Sequence, residues 1–344
     1  MGLSQTKRTC LIYLLLVLIF FTGNYALRTQ TAGKKYALLI GGLGGEARYS
    51  EKFYQFLSDS RKALVENFHF LPENVMVLAE PRYQNETWIN GISSADEIRK
   101  MFIYFSERMT QDDNIYIILF GHGNYDGRNA KVNIPRRDLN DEDFAELLDT
   151  LKANRIVFIN TASVSFPFIK TLSSRNRIII TATNRPTQRN VTVFPEYFVQ
   201  GLTDPDSDLD KNEDLSVLEI FMYASQQTGR FYSDNNHLAT EFAMLEDTGD
   251  KRAFRESELK NSGEGILAGV TYLRRRVHIA ASGESAQQDS VLSNLLKEKE
   301  KVELEIARLK NRKDRTNEQA YYEKLEALLV RLARLNDRLE EKNN

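Results

Sequence analysis

The sequence predicts an α/β protein, a three-layer α/β/α sandwich with a mostly parallel sheet, followed by a C-terminal α-helical hairpin or coiled coil. Five near-continuous apolar runs lie between residues 34 and 182, and segments with apolar residues at helical spacing alternate with them. Strands that are apolar throughout are buried on both faces, so helices must cover both sides of the sheet. After residue 291 almost every residue is charged or a good helix former, and apolar residues recur every three or four positions, which predicts the helical tail.

The individual elements follow from these periodicities. The predicted strands are residues 36–40, 75–78, 115–120, 156–159 and 178–181. The predicted helices of the sandwich are residues 49–68, 94–109 and 140–151. In the tail, residues 295–309 and 321–339 each keep a three-four apolar spacing, but the two runs are out of phase with each other. Two helices folded as a hairpin explain this better than one unbroken rod.

Length and composition limit the organisation of the chain. Its 344 residues, 42% of them apolar, are enough to bury at least one sizeable core. The formal net charge of -2 gives no reason to expect nucleic acid as a partner. The small, polar and unpatterned residues after residue 280 predict a linker. We therefore expect a signal peptide at 1–26, an α/β domain at 34–280, a linker at 281–290 and a tail at 291–344.

The N-terminus has the order of residues found in a secretory signal. Lys7 and Arg8 precede an apolar run over 10–22, and Ala26 follows it. The run is shorter than the roughly 20 residues that cross a bilayer. We predict export, to the periplasm or out of the cell, with cleavage near Ala26; an uncleaved segment that anchors the protein to the membrane is the alternative. Cys10 is the only cysteine, so the cleaved chain would hold neither a disulfide nor a catalytic thiol.

Two of the predicted strands end in residues that can carry chemistry. The strand at 115–120 runs into Gly-His122-Gly123, and the strand at 156–159 runs into Asn-Thr161-Ala-Ser163. Ligands of parallel sheets bind beyond the carboxyl ends of the strands, so we expect these residues to share one edge of the sheet. The simpler alternatives are a histidine that only ends a strand and a polar turn at 161–163.

A strand that ends in His-Gly, followed by one helix and a second strand that ends in Ala-Cys, is the dyad arrangement of the legumain and caspase class of cysteine endopeptidases. This chain resembles that class, with Ser163 at the position of the cysteine. The resemblance implies a caspase-like fold, His122 as the base, and the backbone N–H groups of Gly123 and Ser163 as donors to an oxyanion. It also implies Thr161 and Arg48 as positions of the substrate pocket. Legumain-type enzymes have glutamate where this chain has Thr161, so asparagine specificity does not carry over.

The exchange of a thiol for a hydroxyl weakens the expected reaction. A thiol with a pKa of about 8.5 is readily held as a thiolate beside an imidazole, whereas a serine hydroxyl must lose its proton during the reaction and needs an oriented base. We therefore expect a homologue that has lost its nucleophile and binds a peptide or protein through the former active-site cleft. One alternative is an active hydrolase with Ser163 as nucleophile and His122 as base. The other is a scaffold that forms a homo-oligomer or binds a helical partner through its tail.

An acidic segment between the sandwich and the tail follows the pattern of an EF-hand calcium loop. Oxygen-bearing side chains fall at its ligand positions: Asp208, Asp210, Asn212, Asp214 and Glu219. Position 6, where glycine normally permits the sharp turn, is Glu213. The alternative is a solvated acidic turn in which Ser216 and Glu219 form the capping box of the next helix. Calcium is the only cofactor that the sequence suggests.

The glycine-rich segment at 41–45, after the first strand, invites comparison with a dinucleotide-binding loop, with Glu80 at the end of the second strand as the ribose ligand. Glu80 lies well beyond the roughly 20-residue separation that such sites require. A tight turn at the rim of the cleft is therefore the better interpretation.

Overall fold

The computed structural model describes residues 33–260, 262–274, 286–311 and 317–343. The predicted signal peptide and the first half of the predicted linker, 281–285, lie outside these residues. Within them, no helix is both long enough and apolar enough to span a membrane.

Twelve strands and nine helices make up the described part of the chain. The strands are β1 Lys35–Gly41, β2 Val75–Ala79, β3 Gly91–Ile92, β4 Asn114–Phe120, β5 Gly123–Tyr125, β6 Ala130–Val132, β7 Leu139–Asn140, β8 Arg155–Asn160, β9 Arg177–Thr181, β10 Leu215–Ser216, β11 Met244–Glu246 and β12 Tyr272–Arg274. The helices are α1 Ala47–Lys62, α2 Ala95–Arg108, α3 Asp141–Asp149, α4 Pro167–Leu172, α5 Phe194–Gly201, α6 Val217–Asp234, α7 Ile266–Gly269, α8 Ala286–Asn311 and α9 Glu318–Asn343.

The main sheet confirms the predicted fold class. Its seven strands lie in the order β11-β9-β8-β4-β1-β2-β3. All neighbouring strands are parallel except β11, which pairs antiparallel with β9. The five predicted strands form the centre of this sheet, and the three predicted helices correspond to α1, α2 and α3 within a few residues. A π-helical turn over Ala63–Asn67 extends α1 and explains the longer apolar pattern of the sequence.

Alternate residues of the strands support two separate cores. On one side of the sheet, Tyr116, Ile118 and Phe120 of β4 pack with apolar residues of α1, α5 and α6. On the other side, Ile117 and Leu119 pack with α2, α3 and α4. Helices therefore cover both faces, as the continuous apolar strands require.

The C-terminal helices form the predicted hairpin. The apolar residues of α8 and α9 are buried against each other: Leu295, Val302, Ile306, Leu309, Tyr321, Leu328, Leu335 and Leu339. Two ion pairs join α8 to the sandwich, Glu300 with Arg155 at 3.0 Å and Lys297 with Asp112 at 2.8 Å. Arg155 begins β8 and Asp112 precedes β4, so α8 packs at the amino end of the parallel strands.

Candidate functional site

The structure brings Ser163 and Gly123 together at the carboxyl end of the sheet. The parallel register of β4 and β8 sets Leu119 opposite Asn160, so the segments that follow both strands emerge side by side. The backbone N–H of Gly123 donates to Ser163 Oγ at 3.2 Å, and Ser163 Oγ lies 3.4 Å from the Gly123 carbonyl oxygen, to which it donates. The predicted proximity of the two strand ends is therefore present.

Position 123 requires glycine because of this close approach. A Cβ atom added to Gly123 would lie 2.2 Å from the carbonyl oxygen of Ser163. Neither group can move away easily, since both belong to the backbone. Packing alone thus requires a glycine after His122, whatever family the chain resembles.

The backbone is strained directly after Ser163. Val164 has a φ of 60°, a conformation that a β-branched residue rarely adopts. Neighbouring segments hold it there: its N–H donates to the Gln188 carbonyl at 2.9 Å, and the Ser165 hydroxyl pairs with that of Thr183 at 3.1 Å. Strain that the surrounding structure enforces is common at functional sites. Thr183 and Gln188 were not identified from the sequence, although they follow β9 in the same way that Ser163 follows β8.

His122 is half-buried and has a defined ring orientation. Its Nε2 lies 3.2 Å from the carbonyl oxygen of Gly44, which can only accept a hydrogen bond, so Nε2 carries the proton in this contact. The rings of Tyr49 and Phe53 meet the imidazole edge-on, with centroids at 5.0 and 5.1 Å. Burial lowers the pKa of His122, which favours the neutral form. In that form Nδ1 is the nitrogen that can accept a proton.

The histidine and the serine do not form a hydrogen-bonded dyad. Among the described residues, His122 bonds to Gly44 and Ser163 bonds to Gly123, and no hydrogen bond joins the two side chains. Ser163 is only 3% exposed. Its hydroxyl also occupies the Gly123 N–H that the resemblance assigns to an oxyanion.

The two predicted pocket positions have different surroundings. Thr161 is fully buried, and its hydroxyl donates to the Leu119 carbonyl at 2.8 Å. Arg48 is exposed, pairs with Glu46 at 3.0 Å and lies over the ring of Tyr49. Arg48 therefore borders the ring that contacts His122, whereas the Thr161 hydroxyl is engaged within the sheet.

Glu80 takes part in this site through the loop that follows β1. Its Oε1 accepts from the backbone N–H of Gly44 at 2.7 Å, although Glu80 is only 7% exposed. The sequence drew attention to Glu80 only as a nucleotide ligand. The useful signal was simpler: a charged residue that ends a buried strand beside a glycine-rich loop.

The acidic loop at 208–219 forms a compact turn at the start of α6. Asp208, Asp210 and Glu219 each place a carboxylate oxygen within 4.8 Å of the others. Glu213 has a φ of 68°, so it adopts the left-handed conformation that position 6 requires even without glycine. The capping box of the alternative interpretation is also present, because Ser216 Oγ accepts from the Glu219 N–H at 3.2 Å and Glu219 Oε2 accepts from the Ser216 N–H at 2.8 Å. Burial raises the pKa of Glu219.

The other two predicted ligands take part in the same turn. Asn212 accepts through its side chain from the backbone N–H of Asp214 at 2.7 Å. The N–H of Asn212 in turn donates to Asp208 Oδ1 at 3.1 Å. The five predicted ligands therefore belong to one loop, stabilised by its own hydrogen bonds.

Comparisons with known proteins give similarities in structure alone. No family model and no curated protein matches the chain. Among solved structures, the chain is similar to one described as the crystal structure of drICE, with 11% identity, a TM-score of 0.38, and coverage of 67% of this chain and 94% of that chain. With a TM-score this low, the fold assignment depends on the strand order and register described above.

Proposed function

We propose that this protein binds a peptide or protein segment at the carboxyl end of its sheet, without hydrolysing it, as a degenerate homologue of the legumain and caspase class. The observation that carries the proposal is the hydrogen bond between the Gly123 N–H and Ser163 Oγ. A hydroxyl bonded to the Gly123 N–H takes up one of the two donors that the resemblance assigns to an oxyanion, so a substrate carbonyl can use that donor only after the hydroxyl moves away.

Two further features support binding over turnover. His122 Nε2 is engaged by Gly44, and no hydrogen bond joins His122 to Ser163 among the described residues. A serine nucleophile depends on such a base to take its proton, more than a cysteine does. A serine enzyme whose hydroxyl has no hydrogen bond to its base therefore loses most of its rate.

Cations near the site favour an acidic ligand. Arg185 and Arg189 are exposed on the segment after β9, beside the Gln188 carbonyl that accepts from Val164. In the described part of the chain, neither arginine has an ion-pair partner. Arginine binds carboxylates through paired hydrogen bonds, so a peptide with an aspartate or glutamate side chain fits this rim best.

Binding can be measured by fluorescence polarisation with labelled peptide libraries that differ only in Asp against Asn and Glu against Gln. We expect the acidic members to bind more tightly, and Arg185→Gln with Arg189→Gln to abolish the difference. Arg128→Gln is the matched control, because Arg128 is also exposed and lies on the hairpin after β5. Equal binding of acidic and neutral peptides would contradict the proposed ligand class.

The alternative of an active serine hydrolase predicts covalent labelling of Ser163 by a fluorophosphonate probe. We expect no labelling of the wild-type protein, because its hydroxyl is buried and bonded to Gly123. Ser163→Cys tests whether only the nucleophile was lost: restored cleavage of a legumain or caspase peptide that a thiol alkylator blocks would show that the rest of the site is intact. Labelling of wild-type Ser163 that requires His122 would favour the hydrolase.

We also propose that the loop at 208–219 binds calcium. The left-handed conformation of Glu213 supports this, since it removes the objection raised by the missing glycine. A ligand that binds only the folded state adds about 2.7 kcal/mol at a hundred times its dissociation constant. Calcium should therefore raise the melting temperature, and Glu219→Gln, which keeps the capping box, should remove the increase. A melting temperature that does not change up to millimolar calcium would leave the capping box as the role of Glu219.

Assembly through the tail is a separate proposal. Tyr322, Leu329 and Val330 of α9 are nearly half exposed although the apolar seam of the hairpin is buried. These side chains favour a second copy or a helical partner at the outer face of α9. Light scattering should show an oligomer that the triple change to serine at 322, 329 and 330 converts to a monomer; a monomeric wild-type protein would exclude self-association.

A further inference from the structure

The carbonyl that binds the His122 ring belongs to the loop after β1. Among the described residues, one side chain accepts a hydrogen bond from the backbone of that loop. The loop follows β1, and three successive N–H groups of its backbone donate outward: Gly42 to the Phe120 carbonyl at 2.7 Å, Leu43 to the Asn133 carbonyl at 2.8 Å and Gly44 to Glu80 Oε1 at 2.7 Å. Only the last of these acceptors is a side chain. The position of Gly44 therefore depends on Glu80 in a way that a substitution can test.

Glu80 is placed for this contact by the sheet. It follows the last residue of β2, and β2 lies beside β1 in parallel register with Leu78 opposite Ile40. A carboxylate directly after β2 thus reaches the loop directly after β1. Its second oxygen lies 3.4 Å from Arg82 Nε, on a side chain that is 54% exposed.

The space around Gly44 shows how closely the loop is packed. A Cβ at position 44 would lie 2.2 Å from the backbone nitrogen of Ser50, in the first turns of α1. The Gly44 carbonyl accepts from the Glu46 N–H at 2.8 Å as well as from His122 Nε2. Gly44 is therefore fixed at its N–H by Glu80 and presents its carbonyl to the histidine.

We propose that Glu80 is a positioning residue for His122. Through Gly44 it fixes the carbonyl that accepts the Nε2 proton, and so it keeps Nδ1 as the nitrogen open to a ligand or a proton. The use of that nitrogen rests on the proposed function, but the positioning itself can be measured on the protein alone.

The experiment follows the Nε2 proton of His122 by NMR on the full chain labelled with ¹⁵N at its four histidines. A ring N–H that is hydrogen bonded exchanges slowly enough with water to give a signal, and His122→Gln assigns that signal by removing it. We expect the signal in the wild type and its loss in Glu80→Ala, with exchange about tenfold faster or more. Glu80→Asp keeps the charge but shortens the reach by one methylene, so it should lose the signal too.

Two variants separate positioning from general loosening. Glu80→Gln keeps an oxygen that can accept from the Gly44 N–H and should restore the signal. Asp113→Ala removes a comparable carboxylate, which is 4% exposed and accepts from the backbone N–H of Lys34 at 2.6 Å, at the other end of β1. It should leave the signal unchanged.

Retention of the signal in both Glu80→Ala and Glu80→Asp would overturn the proposal, and so would an equal loss in Asp113→Ala. Peptide binding that fails while this pattern holds would reject the proposed function and leave the positioning role intact.

Discussion

The two ends of the main sheet differ in the kind of residue they bury. At the carboxyl end, glycine and small hydroxyl residues bring backbone segments within hydrogen-bonding distance, as at Gly123 and Ser163. At the amino end, charged side chains are buried in pairs or clusters, including Arg155 with Glu300. The carboxyl end therefore combines paired backbone groups with a half-buried imidazole, whereas charges at the amino end join the sheet to the helical hairpin.

A cluster of acids beside β9 belongs to the amino end. Glu246, Asp247 and Glu264 are each at most 5% exposed, and none of them has a cationic partner within the described residues. Asp247 donates its N–H to Glu264 Oε2 at 2.6 Å, and Glu246 Oε1 accepts from the backbone N–H of Asp250 at 2.9 Å. Burial without a cation makes the charged forms costly, so these groups should respond to pH.

The largest expected effect concerns this cluster. Burial raises the pKa of Glu264 from 4.5 to about 8, so the folded state binds a proton that the unfolded state has released between these values. The stabilisation is complete below about pH 4.5 and is lost as the pH rises through 8, a change on the order of a few kcal/mol. Glu264→Gln should flatten this dependence in urea unfolding followed from pH 5 to 8.

His122 should show the opposite sign. Burial lowers its pKa, so its contribution is present above about pH 6.5 and is lost as the pH falls. His122→Gln should remove that part of the dependence and leave the Glu264 part unchanged. A wild-type stability that is flat from pH 5 to 8, with no change in either variant, would contradict the assignment of opposite signs to the two ends.

The second prediction tests the contact between the sheet and the hairpin. The Arg155 side chain is 9% exposed and that of Glu300 is 22% exposed, so Glu300→Ala leaves a buried guanidinium without its carboxylate. Complete burial would make this cost about 3–5 kcal/mol, and the partial exposure of Glu300 reduces it to about 1–3 kcal/mol. Glu298→Ala is the matched control, since its pair with Arg331 is more than 40% exposed on both sides and should contribute less than about 1 kcal/mol.

Limited proteolysis tests the same contact between Arg155 and Glu300. Glu300→Ala should make α8 and α9 more sensitive to trypsin than the rest of the chain, while Glu298→Ala should not. Equal sensitivity of the two variants would mean that the ion pair does not hold the hairpin at the amino end.

Sequence patterns predicted the centre of the fold because the central strands are buried on both faces. Their apolar runs are unbroken because both faces are buried, and apolar residues recur at helical spacing in the segments between them. The antiparallel strand β11 and the short strands β5, β6 and β7 were not predicted, because two or three residues are too few for either period to appear. The 18-residue helix α6 was anticipated only as the helix that follows the acidic segment, without its length.

The sequence predicts where the site lies, but not which groups its side chains contact. Strand ends locate His122 and Ser163 at one edge, because parallel strands share a direction. The partners of these side chains depend on neighbouring loops: Gly44 belongs to the segment after β1, and Gln188 to the segment after β9. A sequence contains no local signal for a hydrogen bond between a ring and a backbone carbonyl 78 residues away.

The last prediction returns to the carboxyl end, where the contact with Ser163 requires glycine at position 123. In Gly123→Ala, the new Cβ would meet the Ser163 carbonyl oxygen at 2.2 Å, so one backbone segment must shift. Such overpacking costs about 1–3 kcal/mol. Gly229→Ala in α6 is the matched control, because nothing lies within 4 Å of a Cβ there and alanine is the better helix former by about 1 kcal/mol. Chemical unfolding should therefore give changes of opposite sign, and the amide resonance of Ser163 should shift only in the first variant. If Gly123→Ala is as stable as the wild type, the two strand ends are further apart than described, and neither a degenerate dyad nor an occupied oxyanion position can be assigned to them.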